Sequence, residues 1–355
     1  MVEKIKRNKT NFQNFLHSLM APLGAIILTM VLGFLLVSII SEQPVLAYRE
    51  LLFANFDSLN NFAMFLNRAT PLVLISLGIT FAFRAGVFNV GGEGQLFAGA
   101  ITTSLIGISF SSLPAFLLFP FAIITGITAG ALVGWVPGIL KVRLGVDEVV
   151  VTLMLNTIIL LFTSYLVNQV IRDTTAYGAV SWELPKHIWL PDIPGIPDAT
   201  SGFLIALLLT ILSWLIMFRT KWGADVRSAG TNLRYAESIG IAAGKRVVTA
   251  MLIAGGLAGC AGSLYVLGIG HRFEQNFSPE YGLIALTCAL LARVHPVASL
   301  FTALFYASLL NGAAYMQIST EVPRSLVILL TGLLVLLMTA RLKRNSSSAQ
   351  TFDAF

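Results

Sequence analysis

Residues 94–140 read GQLFAGAITTSLIGISFSSLPAFLLFPFAIITGITAGALVGWVPGIL and contain no Asp, Glu, Lys or Arg. A helix needs about 20 apolar residues to cross the hydrocarbon core of a bilayer, so this run is too long for one crossing. Turn-forming residues lie in its middle, from Ser109 to Pro114. The stretch therefore predicts two membrane helices joined by a turn.

The whole chain has the same apolar character. Of its 355 residues, 56% are hydrophobic and 11% are charged, and the mean hydropathy is +0.82. Soluble domains carry about 25% charged residues, so this composition excludes a soluble globule. In lipid only helices and closed barrels satisfy the backbone, and long uncharged runs favour helices. We expect an all-α, polytopic membrane protein.

Other runs without Asp, Glu, Lys or Arg predict the remaining crossings. They lie at 20–41, 69–83, 149–171, 199–218, 247–270, 281–292, 294–320 and 325–340. Together with the two halves of 94–140, these runs predict about ten transmembrane helices. Two of the ten are expected to be short or broken, and the 281–292 run is short. We expect a single transmembrane domain over residues 1–345 and a short cytoplasmic tail over 346–355.

Basic residues predict the orientation. The N-terminus is basic and the apolar run after it is long enough to span, which favours a retained first helix over a cleaved signal peptide. With this end inside, ten crossings place most Lys and Arg on the cytoplasmic side. The outer segments then hold only Arg49, Arg68, Arg172, Lys186, Arg272 and Arg324. The net charge of +6 thus reflects contact with membrane lipid and not with nucleic acid, and both termini are predicted to be cytoplasmic.

Three hydrophilic stretches interrupt the apolar runs. Residues 42–67 lie outside and include four phenylalanines, which makes an interfacial helix plausible. Residues 172–200 lie outside and contain four prolines, which exclude a long helix. Residues 219–246 form the largest loop on the predicted cytoplasmic side.

The segment 83–95, FRAGVFNVGGEGQ, combines four glycines with two opposite charges. Glycines permit unwinding, and irregular backbone at membrane depth is tolerated where it is buried in protein or lines a cavity. A charge at the bilayer centre costs roughly 2.5–3.5 kcal/mol, so a buried Glu93 needs a partner, and Arg84 is the nearest in sequence. Candidate residues of a solute path are Phe88, Asn89, Glu93 and Gln95. The alternative is an ordinary cytoplasmic hairpin.

Residues 222–241, here called the 222–241 loop, predict a short amphipathic helix from Asn232 to Ile239. Thr231 or Asn232 can cap it and Gly240 can end it. Leu233, Ala236 and Ile239 share a face at helical spacing. Such a face suits a groove on a partner protein, or, as the alternative, the lipid headgroups.

Residues 145–156, GVDEVVVTLMLN, open another span. Asp147 and Glu148 fit the first turn of a helix, where its dipole favours acidic residues. Asn156 lies about two turns further along, where it can form an inter-helix hydrogen bond or line a pore. Glycines spaced by four at 126, 130 and 134, with Gly255, Gly259 and Gly262, predict close helix packing.

No pattern of catalysis or cofactor binding is present. There is no phosphate-binding loop, no H-E-x-x-H and no G-x-S-x-G, and the four histidines are scattered. Cys260 and Cys288 lie alone inside apolar runs and predict neither a disulfide nor a metal site. We expect a protein without enzyme activity, cofactor or metal.

The three motifs together resemble the permease subunits of ABC importers for nucleosides and simple sugars, relatives of ribose-type and branched-chain amino acid permeases. Residues 84–95 match the family pattern G-[LV]-F-N-[IV]-G-x-E-G-Q and its flanks, and 145–149 with 155–156 match G-V-[ND]-E-V followed by L-N. The coupling-loop pattern is matched at Gly223, Arg227, Gly230, Asn232, Ala236, Gly240 and Ile241, and Arg234 lies among them. Ser228 and Tyr235 depart from it, where the family usually has alanine.

The resemblance implies an ATP-driven, binding-protein-dependent importer in the bacterial plasma membrane, for nucleosides more than for simple sugars. Its implied partners are cytoplasmic ATPase subunits, a second, paralogous permease and an extracytoplasmic solute-binding protein. The alternative is a secondary carrier driven by an ion gradient. The 222–241 loop distinguishes the two, because a secondary carrier has no ATPase to contact, and spans with few buried acidic residues disfavour proton coupling.

Overall fold

The computed structural model describes residues 31–39, 41–320, 322 and 329, and this part of the chain is mostly helical. Residues 31–39 are helical. The helices that follow are α1 Pro44–Phe53, α2 Leu59–Arg84, α3 Gly92–Ser109, α4 Ala115–Leu144, α5 Glu148–Gln169, α6 Gly202–Arg219, α7 Lys221–Thr231, α8 Leu233–Ser238, α9 Ala243–Tyr265, α10 Tyr281–Leu291 and α11 Pro296–Ser319. A π-helical stretch, Val266–Gly270, extends α9.

Six helices in the described residues are long and apolar enough to cross a membrane: α2, α4, α5, α6, the extended α9 and α11. The expected count of about ten is not confirmed. The expected ten included α10, whose run was predicted to be short and which has 11 residues, and α3, which has 18 residues and opens with the polar sequence Gly-Glu-Gly-Gln. Of the predicted span 20–41, only 31–39 and 41 are described. Except for Leu329, the span 325–340 and the tail 346–355 lie outside the described residues.

Local sequence determines where the long helices begin and end. The 94–140 run divides as predicted, because α3 ends at Ser109 and α4 begins directly after Pro114. α4 is followed by Gly145, whose φ of +66° is a left-handed conformation that glycine adopts without steric cost. Asp147 then caps α5, its carboxylate accepting a hydrogen bond from the Val149 amide at 2.8 Å.

Glycines bring the backbones of α4 and α9 into direct contact. A Cβ atom on Gly255 would lie 2.2 Å from the carbonyl oxygen of Gly130, and one on Gly130 would lie 2.4 Å from the carbonyl oxygen of Gly255. α3 reaches the same part of α9, since a Cβ on Gly99 would lie 2.3 Å from the carbonyl oxygen of Gly259. Small residues permit this approach between membrane helices. The predicted close packing is present, and it joins three helices.

The segment 172–200 contains no long helix, as its prolines predict. A 3₁₀ turn, Lys186–Ile188, precedes two short antiparallel strands, β1 Asp192–Ile193 and β2 Ile196–Thr200. β2 is tied to α2 by Asn67, which accepts a hydrogen bond from the Thr200 amide at 3.0 Å. The segment therefore lies over the end of the helices where α2 begins.

The contacts divide the described residues into two compact units. One contains those up to Asn55 and those from Leu309 onward, and within it the Asn311 amide donates to the Asn55 side chain at 2.8 Å. The other is Phe56–Ser308 and contains the segment 83–95 and the 222–241 loop. The single domain over 1–345 stays a prediction.

The contact between α4 and α9 predicts how a methyl group added at Gly255 changes the stability of the protein. Gly255→Ala should reduce the thermal stability of the detergent-solubilised protein by about 1–3 kcal/mol, the usual cost of overpacking, because α4 and α9 must move apart. Gly256→Ala is the matched control, since its Cβ would meet the Ile127 side chain at 3.5 Å, an ordinary contact. Equal melting temperatures of the two variants would contradict the packing described.

Candidate functional site

The segment 85–91 leaves the helical path between α2 and α3, as the glycines predict. It does not stay at the end of α2. A Cβ atom on Gly92, where α3 begins, would lie 2.7 Å from the Ile75 side chain, about two and a half turns back along α2. The chain therefore turns back beside α2, and α3 begins at a depth where α2 is still within its span. We call residues 85–91 the first break.

Side-chain amides close the first break from within. Asn89 and Gln95 are both 1% exposed. Their amides bond each other twice, with both donor–acceptor distances 3.2 Å, and Asn89 also accepts from the Gly91 amide at 2.9 Å. Phe88, by contrast, is 51% exposed, with its ring 4.4 Å from that of Phe83. The path role predicted for these residues stays a prediction.

Asn156 fixes the first break to α5. Its side-chain oxygen accepts a hydrogen bond from the Gly94 amide at 2.8 Å, and its nitrogen donates to the carbonyl of Val90 at 3.0 Å. One side chain thus satisfies an N–H and a C=O that no helix pairs. Of the two roles left open by the sequence, the inter-helix hydrogen bond is the one observed.

Glu148 does more than open α5. Its carboxylate forms a salt bridge with Lys141 at 2.6 Å and accepts a hydrogen bond from the Phe88 amide at 3.2 Å. The role of a helix-dipole residue does not account for these contacts. The link to Phe88 could not be found from sequence, because the two residues are 60 positions apart.

Glu93 bonds a different partner from the one predicted. Its carboxylate accepts a hydrogen bond from the Gly282 amide, in the first turn of α10, at 2.6 Å, and lies close to the Ser278 hydroxyl. Arg84 instead donates to the carbonyl of Val294 at 2.8 Å, beyond the other end of α10. The Arg84–Glu93 ion pair is therefore wrong. Because the break separates the two residues in depth, each bonds one end of α10.

A second break, residues 271–280, lies between the extended α9 and α10 and was missed in the sequence. Near its start the Phe273 amide donates to the Ser181 hydroxyl at 2.9 Å, under the segment 172–200. Further on, the Phe277 ring stacks 4.5 Å from Phe97 of α3 and 4.3 Å from Tyr265 of α9. The two breaks therefore enter from opposite ends of the helices and meet where α3 and α10 begin. Residues 271–280 read HRFEQNFSPE, and a segment this polar between two apolar runs resembles an ordinary loop in the sequence.

The 222–241 loop forms two short helices, α7 and α8. The Asn232 side chain caps α8 by accepting from the Tyr235 amide at 3.0 Å, and Gly240 ends the turn with φ +84°, as predicted. The face is corrected: Ala236 is fully buried, whereas Tyr235 is 61% and Ile239 54% exposed. The reason is that α8 packs back onto its own chain, where Ala236 joins the buried cluster of Ala229, Ala243 and Ile241. Leu233 and Arg234 are exposed beside Tyr235.

The 222–241 loop contacts the first break directly. A Cβ atom on Gly230 would lie 2.2 Å from the carbonyl oxygen of Arg84, and one on Gly86 would lie 3.1 Å from the Gly230 Cα. A cavity of about 390 Å³ lies alongside, lined in part by Leu233, Glu237 and Lys141. Gly223 packs equally closely on the end of α6, since its Cβ would lie 2.3 Å from a backbone oxygen there.

Two arginines hold this contact on α6. Arg227 donates to the carbonyl of Met217 and lies over the Phe218 ring at 5.2 Å, while Arg84 lies over the same ring at 5.8 Å. His295 stacks on Phe218 with its centroid 5.1 Å away. Burial, and then the charge of Arg84, lower the pKa of His295, so its ring is neutral at pH 7.

A family model described as the permease component of branched-chain amino acid transport systems matches residues 61–339. The chain belongs to this family. It is the membrane-spanning permease of an ABC importer, a transport subunit of the plasma membrane whose partners are ATPase subunits and a solute-binding protein. Membership favours the ATP-driven importer over the ion-driven carrier.

Three relatives align with nearly the whole permease. The guanosine ABC transporter permease NupP of Bacillus subtilis is 32% identical over 92% of this chain and 94% of its own length. The nucleoside ABC transporter permease NupB of Lactococcus lactis is 28% identical over 92% of both chains. The glucose ABC transporter permease TsgB13 of Haloferax volcanii is 27% identical over 89% of this chain and 86% of its own.

Asn156 provides a test of how the first break is held. Asn156→Ala leaves the Gly94 N–H and the Val90 C=O unpaired, and one buried unsatisfied group costs about 1–3 kcal/mol. We expect a lower melting temperature and reduced uptake together. Thr157→Ala is the control, because Thr157 is exposed and bonds only within α5. A variant as stable as wild type would contradict this role for Asn156.

Proposed function

We propose that this permease imports nucleosides. The observation that carries the proposal is the alignment of the chain, over 92% of its length, with permeases named for guanosine and for nucleosides. Import of a simple sugar is the second candidate, supported by the glucose permease among the relatives. Both are small polar solutes, and polar backbone inside the membrane layer suits either.

We propose that the solute route runs beside the two breaks. Half-exposed Phe88 borders it, while Asn89, Gln95 and Asn156 hold the first break in shape and Glu93 joins it to α10. Discontinuous helices of this kind flank solute sites in other transporter folds. The breaks are the part of the permease that can rearrange without unfolding a continuous helix.

The ATPase is proposed to bind the exposed face of α8, formed by Leu233, Tyr235 and Ile239 with Arg234 beside it. A displacement of α8 would also move the first break, because Gly230 packs on the backbone of Arg84, directly before that break. Arg84 in turn bonds Val294 after α10. ATP binding and hydrolysis would thus act on the first break through backbone contacts and on α10 through the Arg84 side chain.

The surrounding assembly follows from the same proposal. The side with the 222–241 loop is cytoplasmic, as are both termini, and the segment 172–200 faces the binding protein outside. A second, paralogous permease completes the route. The exposed apolar faces of α5 and α6 meet this permease and the membrane lipid. Within the chain, only 11% of the most apolar stretch of α5 and 28% of that of α6 are buried.

Uptake by the assembled transporter tests the proposed solute. Cells without nucleoside transport of their own would express this permease with its ATPase, second permease and binding protein. We expect labelled guanosine to accumulate, unlabelled adenosine to compete and unlabelled glucose to have no effect. Cells that lack only this permease are the control. Accumulation of glucose and not of guanosine would reject nucleoside import in favour of the sugar.

Tyr235 tests the proposed ATPase contact. Tyr235→Glu places a charge on the exposed face of α8 and should lower binding-protein-stimulated ATP hydrolysis about ten-fold, the loss of about 1.4 kcal/mol at an interface. Ser111→Glu is the control, because Ser111 is exposed in the turn between α3 and α4, outside both the 222–241 loop and the segment 172–200. Ala236→Glu should instead lower the amount of protein in the membrane, because Ala236 is buried. Unchanged stimulation in Tyr235→Glu would exclude α8 as the contact.

A further inference from the structure

The second break exposes polar side chains at a depth where lipid surrounds the other helices. Asn276 and Glu280 are both exposed. Glu280 lies two residues before Gly282, whose amide bonds Glu93 and whose backbone lies beside Gly92. Gly92 in turn contacts Ile75 inside the α2 span. The exposed carboxylate of Glu280 is therefore well inside the layer that the spans define.

A carboxylate at this depth cannot face lipid without a large cost, so its exposed side faces water or a polar partner. The backbone conformation at Asn276 and Glu280 is also unusual. Asn276 has φ +59° and Glu280 has φ +66°. Asparagine adopts this left-handed conformation comparatively often, whereas glutamate is strained in it. Strained residues cluster at functional sites such as ligand-binding segments, where the surrounding structure holds them in place.

An asparagine and a glutamate with the same spacing occur at both breaks, but their hydrogen bonding differs. Asn89 of the first break and Glu93 in the first turn of α3 stand four residues apart, as Asn276 and Glu280 of the second break do, and a leucine follows each glutamate three residues later. In the first pair both side chains are bonded inside the protein. In the second pair neither side chain forms a hydrogen bond or ion pair with another described residue. The amide and carboxylate of the first pair are thus bonded within the protein, whereas those of the second pair are unbonded.

Aromatic rings stand beside these free groups. Phe97, Phe277 and Tyr265 form a column in which neighbouring rings are inclined by 31° and 26°. Phe97 is buried at one end and Tyr265, at the other, is half-buried. Nucleobases stack on aromatic rings of this kind, and a carboxylate accepts hydrogen bonds from two neighbouring hydroxyls at once.

We propose that Asn276 and Glu280, with Tyr265, form a binding site for the solute within the permease. Glu280 accepts hydrogen bonds from the ribose hydroxyls, Asn276 bonds the ribose or the base edge, and the base stacks at the Tyr265 end of the column. The inference rests on the proposed nucleoside import and adds to it the residues that contact the solute. A contact with the second permease is the competing use of the same groups.

The test compares two solutes that differ only in the hydroxyls. Guanosine and 2′,3′-dideoxyguanosine are each supplied on a saturated binding protein, so that the uptake rate reports the permease. Glu280→Gln should lower the guanosine rate about ten-fold and the dideoxyguanosine rate less than about two-fold, because only guanosine loses its hydroxyl bonds. Glu42→Gln, an exposed carboxylate just before α1 for which no role is proposed, should leave both rates unchanged.

The outcomes separate the possibilities. Equal effects on the two solutes, or no effect, overturn the site, and equal losses are the result expected of a subunit contact. If Glu280→Gln does not reach the membrane, Asn276→Cys replaces it: guanosine should slow its labelling by a charged thiol reagent about five-fold or more. Labelling that guanosine does not slow, or no labelling, also overturns the site. Failure of the proposed function differs from all of these, because the wild-type transporter would then carry no guanosine.

Discussion

Backbone N–H and C=O groups inside a membrane have no water to bond, so every interruption of a helix there must be paired by other parts of the protein. Within the described residues of this permease, two interruptions of the helical path meet at the same depth. Asn156 pairs the Val90 carbonyl of the first break and the Gly94 amide in the first turn of α3, and the Glu93 carboxylate accepts a hydrogen bond from the Gly282 amide at the start of α10. The rest of the site depends on these bonds, because they hold the two breaks together.

The glycine contacts explain why the breaks can meet. α3, α4 and α9 touch through backbone atoms at Gly99, Gly130 and Gly255. That rigid group carries the start of α3 and, through α9, the second break. The 222–241 loop meets the other end of the same system, where Gly230 packs on Arg84. The proposed ATPase contact and the proposed solute site are thus connected largely by close backbone contacts between helices.

The sequence predicted the features that local chemistry determines. Apolar runs located the helices, glycines located the first break, and Asn232 and Gly240 marked the ends of α8. It did not predict the partner of Glu93, the bond from Phe88 to Glu148 or the burial of Ala236, because these depend on residues distant in the chain. The Arg84–Glu93 pairing failed for the same reason: nearness in sequence says little once the chain turns back between two residues. The second break was missed because Asn276 and Glu280 resemble an ordinary loop.

The contact between the breaks can be measured directly with a cross-link. Cysteines would replace Glu93 and Ser278 in a chain whose Cys260 and Cys288 are alanine, with a protease site inserted at Gly178 between the two. We expect oxidation to join the two cysteines, so that the cleaved halves stay together until a reductant is added. Halves that separate after oxidation, although each cysteine reacts with a thiol reagent in detergent, would contradict the meeting of the two breaks.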